Sequence, residues 1–197
     1  MKIAIVKYNS GNVFSVKCAL NRIGVEAEVT DDIDTLCSAD KVIFPGVGNA
    51  ASAMEYLKSK GLDKVIKGLK QPVLGICLGL QLLCKKTEEG DVEGLGIFDA
   101  KVRRFSNEHD REFKIPHMGW NTIHVKEGSF IPKLMNNGYA YFVHSYYASV
   151  CDSTVATCDY ITQFSAALQK DNFYATQFHP EKSGDLGESI LKSFIEL

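Results

Sequence analysis

An α/β fold, with a parallel central sheet flanked by helices and an antiparallel extension, is predicted by three features of this 197-residue sequence. Short apolar runs alternate with amphipathic stretches through the first half, the pattern of strands crossed over by helices. After Leu95 the segments become strand-like, with loops and little helix between them. The run Pro72-Val-Leu-Gly-Ile-Cys77-Leu-Gly-Leu-Gln-Leu-Leu83 passes from an apolar strand into a helical pattern almost without a connection.

The elements follow in order. Ile3–Val6 is wholly apolar, as expected of a central strand covered on both faces. Gly11-Asn12 opens a helix to about Ile23, with Val13, Val16, Ala19, Leu20 and Ile23 on one face. Gly24 ends it, Val25–Val29 is a second strand and Asp31–Asp34 reads as a loop. Lys41–Phe44 is a third strand, closed by Pro45-Gly-Val-Gly48. Ala50–Lys60 and Leu62–Leu69 are helical pieces divided at Gly61, and Val73–Ile76 is the fourth strand. The strand-like segments of the second half are Leu95–Phe105, Trp120–Val125, Ala140–Val143, Tyr147–Val150, Ser165–Gln169 and Phe173–Phe178. Leu186–Ile195 closes the chain as an amphipathic helix. With no repeat, low-complexity tract or linker, residues 1–197 are expected to form a single domain.

Composition excludes several functions. A hydrophobic content of 45 % supports a sizeable core, and a net charge of −2 gives no reason to expect a nucleic-acid partner. The Lys85-Lys86 and Lys101-Val-Arg-Arg104 clusters read as solvated ends of elements. The six cysteines, at 18, 37, 77, 84, 151 and 158, contain no Cys-x-x-Cys and share no metal-ligand spacing with histidine, so neither a metal nor a cofactor is expected. The first apolar run is too short for a signal segment or a membrane span. Reduced thiols and a cytosolic location are therefore expected.

The chemistry begins at Cys77. Gly75-Ile-Cys77-Leu-Gly79 is the cysteine counterpart of the Gly-x-Ser-x-Gly nucleophile elbow. Small flanking residues allow the sharp turn, and a helix N-terminus behind the thiol favours an anion. Such a nucleophile needs a base, and the base needs an orienting group. Phe173–Phe178, a β-branched and aromatic strand, is followed by His179-Pro180-Glu181, and extended geometry would set His179 and Glu181 on one side of the chain. Pro180 stiffens the link.

Three further segments suit acyl chemistry. Pro45-Gly-Val-Gly48 can turn a backbone N–H toward an oxyanion, and the N–H of Leu78 is a natural second donor. It lacks the Gly-Lys-Ser/Thr of a phosphate loop. Gln81, one helical turn past Cys77, could meet a substrate or be an ordinary surface glutamine. His144, in Tyr141-Phe-Val-His-Ser-Tyr-Tyr147, is a competing base without a nearby carboxylate.

Together these motifs resemble the triad (class I) glutamine amidotransferases, over nearly the whole length. The Cys elbow and His179-Pro-Glu181 carry the general likeness. Pro45-Gly-Val-Gly48, Ile115-Pro-His-Met-Gly-Trp-Asn121, Tyr141–Tyr146 and Lys182-Ser183 narrow it to the glutaminase subunits that serve histidine biosynthesis. The resemblance implies a flavodoxin-like fold and hydrolysis of L-glutamine by Cys77, His179 and Glu181, with Val47 and Leu78 as oxyanion donors. It implies substrate contacts at Gly46, Gly48, Gln81, Glu89, Ser145 and Tyr146. It also implies a heterodimer with a (β/α)₈ cyclase that takes ammonia through a tunnel and makes imidazole glycerol phosphate, docked against Asn12, Met118, Trp120 and Lys182. In such proteins the Pro-Gly-Val-Gly strand reorients when the cyclase binds its nucleotide.

One segment departs from the pattern. The family's Asp-Tyr-Gly-x-Gly-Asn is here Lys7-Tyr-Asn-Ser-Gly-Asn12, a change beside the docking face. That leaves room for a paralogous glutaminase serving a cyclase-like barrel in cell-surface sugar synthesis. A non-catalytic regulatory or binding subunit is a third reading, opposed by the intact cysteine, histidine and glutamate.

Overall fold

The computed structural model describes residues 1–9, 11–108 and 112–197; Ser10, in the altered N-terminal segment, lies outside the described residues. Strands β1 (Ile3–Val6), β2 (Ala27–Thr30), β3 (Lys41–Gly46) and β4 (Val73–Cys77) are joined by helices α1 (Val13–Arg22), α2 (Ile33–Ser38) and the pair α3 (Ala50–Ser59) and α4 (Leu62–Gly68). Helix α5 (Leu78–Leu83) leaves β4 directly and leads to β5 (Cys84–Thr87), β6 (Val92–Glu93) and β7 (Phe98–Arg104). Then come β8 (His117–Thr122), β9 (His124–Val125), β10 (Tyr139–His144) and β11 (Tyr146–Ala148). Strands β12 (Thr154–Asp159), β13 (Gln163–Lys170) and β14 (Phe173–Thr176) precede the terminal helix α6 (Gly184–Glu196).

The main sheet runs β2-β1-β3-β4-β14-β13-β12-β9. Its first five strands are parallel, and β13, β12 and β9 extend it antiparallel from β14. The antiparallel extension expected from the second half is therefore present. Two smaller sheets, β8–β10 and β11-β7-β5-β6, stand beside it.

Side chains of the central strands alternate between two cores, which is why those strands read as unbroken apolar runs. Ala4 and Val6 face a layer with Leu36, Met54, Leu57, Leu62 and Ile66 from α2, α3 and α4. Ile3 and Ile5 face the opposite layer with Val16 and Leu20 of α1, and Ile190, Leu191 and Phe194 of α6.

Sequence reading misplaced some elements. The expected loop at Asp31–Asp34 is instead the entry to α2: the Asp32 carboxylate accepts from the Thr35 N–H at 2.8 Å, an N-cap that a run of aspartates concealed. Strands β5 and β12 were not anticipated. The first begins inside the apolar run of the elbow helix and continues through Lys85 and Lys86. The second, Thr-Val-Ala-Thr-Cys-Asp, is buried through small side chains that give little alternation. Among the described residues no helix is long and apolar enough to cross a membrane.

Candidate active site

Cys77 ends β4, level with Gly46 at the end of β3, at the carboxyl edge of the parallel sheet where α/β proteins place ligands. Its backbone stands at φ 53°, ψ −104°, a conformation that costs a side-chain-bearing residue about 1–3 kcal/mol and here stores strain at the tip of the elbow. Two glycines make the turn possible by close approach. A Cβ on Gly79 would lie 1.8 Å from the Phe44 carbonyl oxygen. One on Gly75 would lie 2.7 Å from Leu83 Cδ1 and 3.1 Å from the Leu80 nitrogen. Gly79→Ala is accordingly expected to lower stability by about 3 kcal/mol, since backbone must move to admit the methyl group. Denaturant titration checks this; an unchanged midpoint would show that α5 is not held against β3.

His179 follows β14, fixed by its N–H to the Tyr141 carbonyl at 2.9 Å and by the Ser183 hydroxyl, which donates to the His179 carbonyl at 2.7 Å. The expected extended link to Glu181 is a correction. Pro180–Lys182 is a single 3₁₀ turn with proline at its start, and this turn folds the carboxylate back onto the ring. Nδ1 of His179 and Oε1 of Glu181 are 2.7 Å apart, with both side chains fully buried. Among the described residues His179 Nε2 makes no hydrogen bond of good geometry, and Cys77 is the neighbour that acts on the ring opposite Glu181. Burial opposes the imidazolium, but the charge and hydrogen bonding of Cys77 and Glu181 outweigh it and push His179 up to about 10.

A cavity of about 300 Å³ opens at the elbow. Val47, Gly48, Cys77, Leu78, Gln81, Glu89, Ser145 and Tyr146 all line it, so most residues singled out in the sequence converge there. Gly46 does not; it is buried in β3 beside Cys77. Gln81 is not a surface residue. It is 5 % exposed, and its Nε2 donates to the Tyr146 carbonyl at 2.9 Å. Glu89 accepts from the Ala50 N–H at the start of α3 at 2.8 Å, and burial pushes its carboxyl up against the lowering effect of that bond.

The competing base is disposed of by its partners. His144 Nδ1 lies 2.7 Å from the Tyr146 carbonyl and Nε2 lies 3.1 Å from His117 Nδ1. Burial lowers His144 to about 3 and His117 to about 4, so the pair is neutral. Met118 and Trp120, 63 % and 56 % exposed on β8, share a face with Tyr141 and Lys182. Asn12, expected on that face, also reaches inward: its Nδ2 donates to Glu181 Oε1 and lies 3.2 Å from His179 Nδ1. Sequence reading missed this contact, and it missed Gln177, fully buried, whose Nε2 lies 3.8 Å from Cys77 Sγ. The one available signal was a glutamine in an otherwise apolar and aromatic strand end. Among the described residues no cluster could hold a metal ion.

The family model for class-I glutamine amidotransferases matches residues 5–197. The imidazole glycerol phosphate synthase subunit HisH of Bacteroides fragilis is 57 % identical over 197 residues, covering all of both chains. That of Escherichia coli is 44 % identical over 199 residues, again covering all of both. A glutamine amidotransferase of Thermotoga maritima, 16 % identical, superposes with a TM-score of 0.70 over 100 % of this chain and 96 % of the other, a likeness of fold. With a parallel α/β sheet, a strained cysteine elbow and a buried His–Glu pair, this chain belongs to the class-I glutamine amidotransferase family.

Proposed function

We propose that this chain, acting as one domain, hydrolyses L-glutamine and supplies the ammonia to a cyclase in histidine biosynthesis. The observation that carries the reading is the cavity whose floor is Cys77, backed by the His179–Glu181 pair. The full-length likeness to imidazole glycerol phosphate synthase subunits supports the choice of pathway.

Cys77 Sγ attacks the side-chain amide carbon of glutamine, and the carbonyl oxygen takes the negative charge. The N–H groups of Leu78 and Val47 receive that charge, each worth about 3–4 kcal/mol in the transition state. Val47, between Gly46 and Gly48, sits where a local backbone rotation can aim its N–H, and Gly48 already has φ +114°. His179, held by Glu181, gives its proton to the leaving nitrogen, and ammonia departs. Water then attacks the thioester, returning glutamate and the free thiol. Gln81, Glu89 and the Ser145–Tyr146 backbone suit the α-amino and α-carboxylate groups.

Ammonia in neutral water is almost wholly ammonium, which is no nucleophile, so the product is useful only if passed on directly. Met118, Trp120 and Lys182, with the outer side of Asn12, form the docking face proposed for the (β/α)₈ partner. Exposed large apolar side chains beside a cation suit a protein surface better than water.

The test is glutamate release by this chain alone, with the imidazole glycerol phosphate cyclase, and with that cyclase plus its nucleotide. The expected result is stimulation of about 10-fold or more by both together. Turnover indifferent to this cyclase would assign the same chemistry to another barrel. Binding of the cyclase without turnover would favour a regulatory subunit.

A further inference from the structure

Gln177 has no part in the scheme above, yet it is wholly buried and touches the reacting sulfur. Which end of its amide faces Cys77 follows from groups whose roles are unambiguous. The Tyr146 carbonyl can only accept, so the Gln81 atom 2.9 Å from it is the nitrogen. The same Gln81 Nε2 lies 3.2 Å from the Gln177 side chain, and its second N–H requires an acceptor there. Gln177 therefore presents Oε1 to Gln81 and its N–H edge to Sγ at 3.8 Å.

The orientation is secured from the far side as well. Asn121 accepts from the Thr122 N–H at 2.8 Å and donates to the Asp159 carbonyl at 2.9 Å, which fixes its amide. Its Nδ2 then meets His117 Nε2 at 3.3 Å, so His117 carries its proton on Nδ1 and donates to His144 Nε2. His144 in turn donates from Nδ1 to the Tyr146 carbonyl. That oxygen, with donors from both sides, has one role only. No member of this chain can reverse without leaving a buried polar group unpaired, a cost of about 1–3 kcal/mol.

We infer that Gln177 is a sulfur-facing donor of the reaction centre, locked by Gln81 with its N–H on Cys77 so that it favours the thiolate over the thiol. A thiol gains little from a donor at its sulfur, whereas a thiolate gains a charge-assisted bond. Among the described residues, the titratable groups facing the sulfur are His179, paired with Glu181, and His144, Tyr146 and Glu89, which line the same cavity. Among the described residues, Gln177 is the neutral side-chain donor at the sulfur, with its direction set by a third residue, Gln81.

The inference rests on Cys77 as the nucleophile and is tested without turnover. Alkylation of Cys77 by iodoacetamide, followed at its own peptide by mass spectrometry against pH, reports the thiolate fraction. In Gln177→Met, of similar volume and without a donor, the profile should move upward by about one pH unit, a 10-fold slower reaction on its rising limb. Gln177→Glu keeps the acceptor for Gln81 and puts an oxygen toward sulfur, so it should move further in the same direction. An unchanged profile in either folded variant overturns the inference. Should neither variant fold, the Gln177 side-chain amide resonances of the unaltered protein decide: they should shift when Cys77 is alkylated, and stationary resonances refute the contact. Glutamine hydrolysis that survives Cys77→Ser would instead remove Cys77 as the nucleophile, an outcome distinct from an unmoved alkylation profile, which refutes the Gln177 contact alone.

Discussion

Cys77→Gly is expected to abolish glutamine hydrolysis, by about 10⁴-fold or more, while proving at least as stable as Cys77→Ala. The first half follows from removing Cys77, whose sulfur is the nucleophile at the cavity floor. Neither substitution leaves a nucleophile, and the oxyanion donors and binding groups cannot replace one. The second half follows from the backbone. With φ at 53°, position 77 lies where glycine is at ease and any Cβ is strained. The usual order, in which glycine is the less stable by about 0.5–1 kcal/mol, should therefore be reversed. Thermal melting of the two variants reads the order, and a glutamate assay reads the activity. A glycine variant clearly less stable than the alanine one would mean that the elbow is unstrained. Retained hydrolysis in both would remove Cys77 from the reaction.

Much of this arrangement was legible in the chain, for reasons that differ from place to place. The central strands announced themselves because burial on both faces requires continuous apolar runs, as in Ile3–Val6 and Val73–Ile76. The elbow was legible because its steric demand admits so few sequences: the positions of Gly75 and Gly79 are dictated by backbone within 3.1 Å of where a side chain would stand. Helical spacing brought Gln81 beside Cys77, but the convergence of Glu89 and Tyr146 on the same cavity needed the family resemblance, since they come from two further segments.

What escaped reading depended on long-range polar contacts. Nothing local marks Asn12 as a partner of Glu181, which is 169 residues away, or Gln177 as a partner of Cys77, 100 residues away. His144 looked like a rival base because imidazoles are alike in sequence. Only its bonds to Tyr146 and His117 show it committed as a neutral link. The turn at Pro180 was misread as extended because two residues of chain carry no signal strong enough to distinguish a strand end from a single helical turn.

Glu181→Gln should cost both activity and stability, with opposite emphasis along the pH scale. The amide can still accept from His179 Nδ1, so the ring keeps its direction, but the charge that steadies the imidazolium is gone. An ordinary imidazole titrates near 6.5, whereas His179 in the folded chain is pushed up to about 10, with Cys77 and Glu181 the causes that raise it. Because the folded state binds that proton more tightly, His179 contributes stability in full below about pH 6.5, and the contribution is lost as the pH rises through about 10. Glu181→Gln removes part of it. The stability gap between parent and variant should thus be widest near neutral and mildly acidic pH, up to about 3–5 kcal/mol for a broken buried pair, and should narrow toward pH 10. Hydrolysis should fall by about 100-fold, and the alkaline limb of its pH profile should move to lower pH, because the proton for the leaving ammonia is surrendered earlier. Urea unfolding at several pH values and the pH dependence of kcat measure the two effects. A stability gap that ignores pH, together with an unmoved alkaline limb, would show that Glu181 orients His179 without holding its charge, and the role of that carboxylate would shrink to geometry.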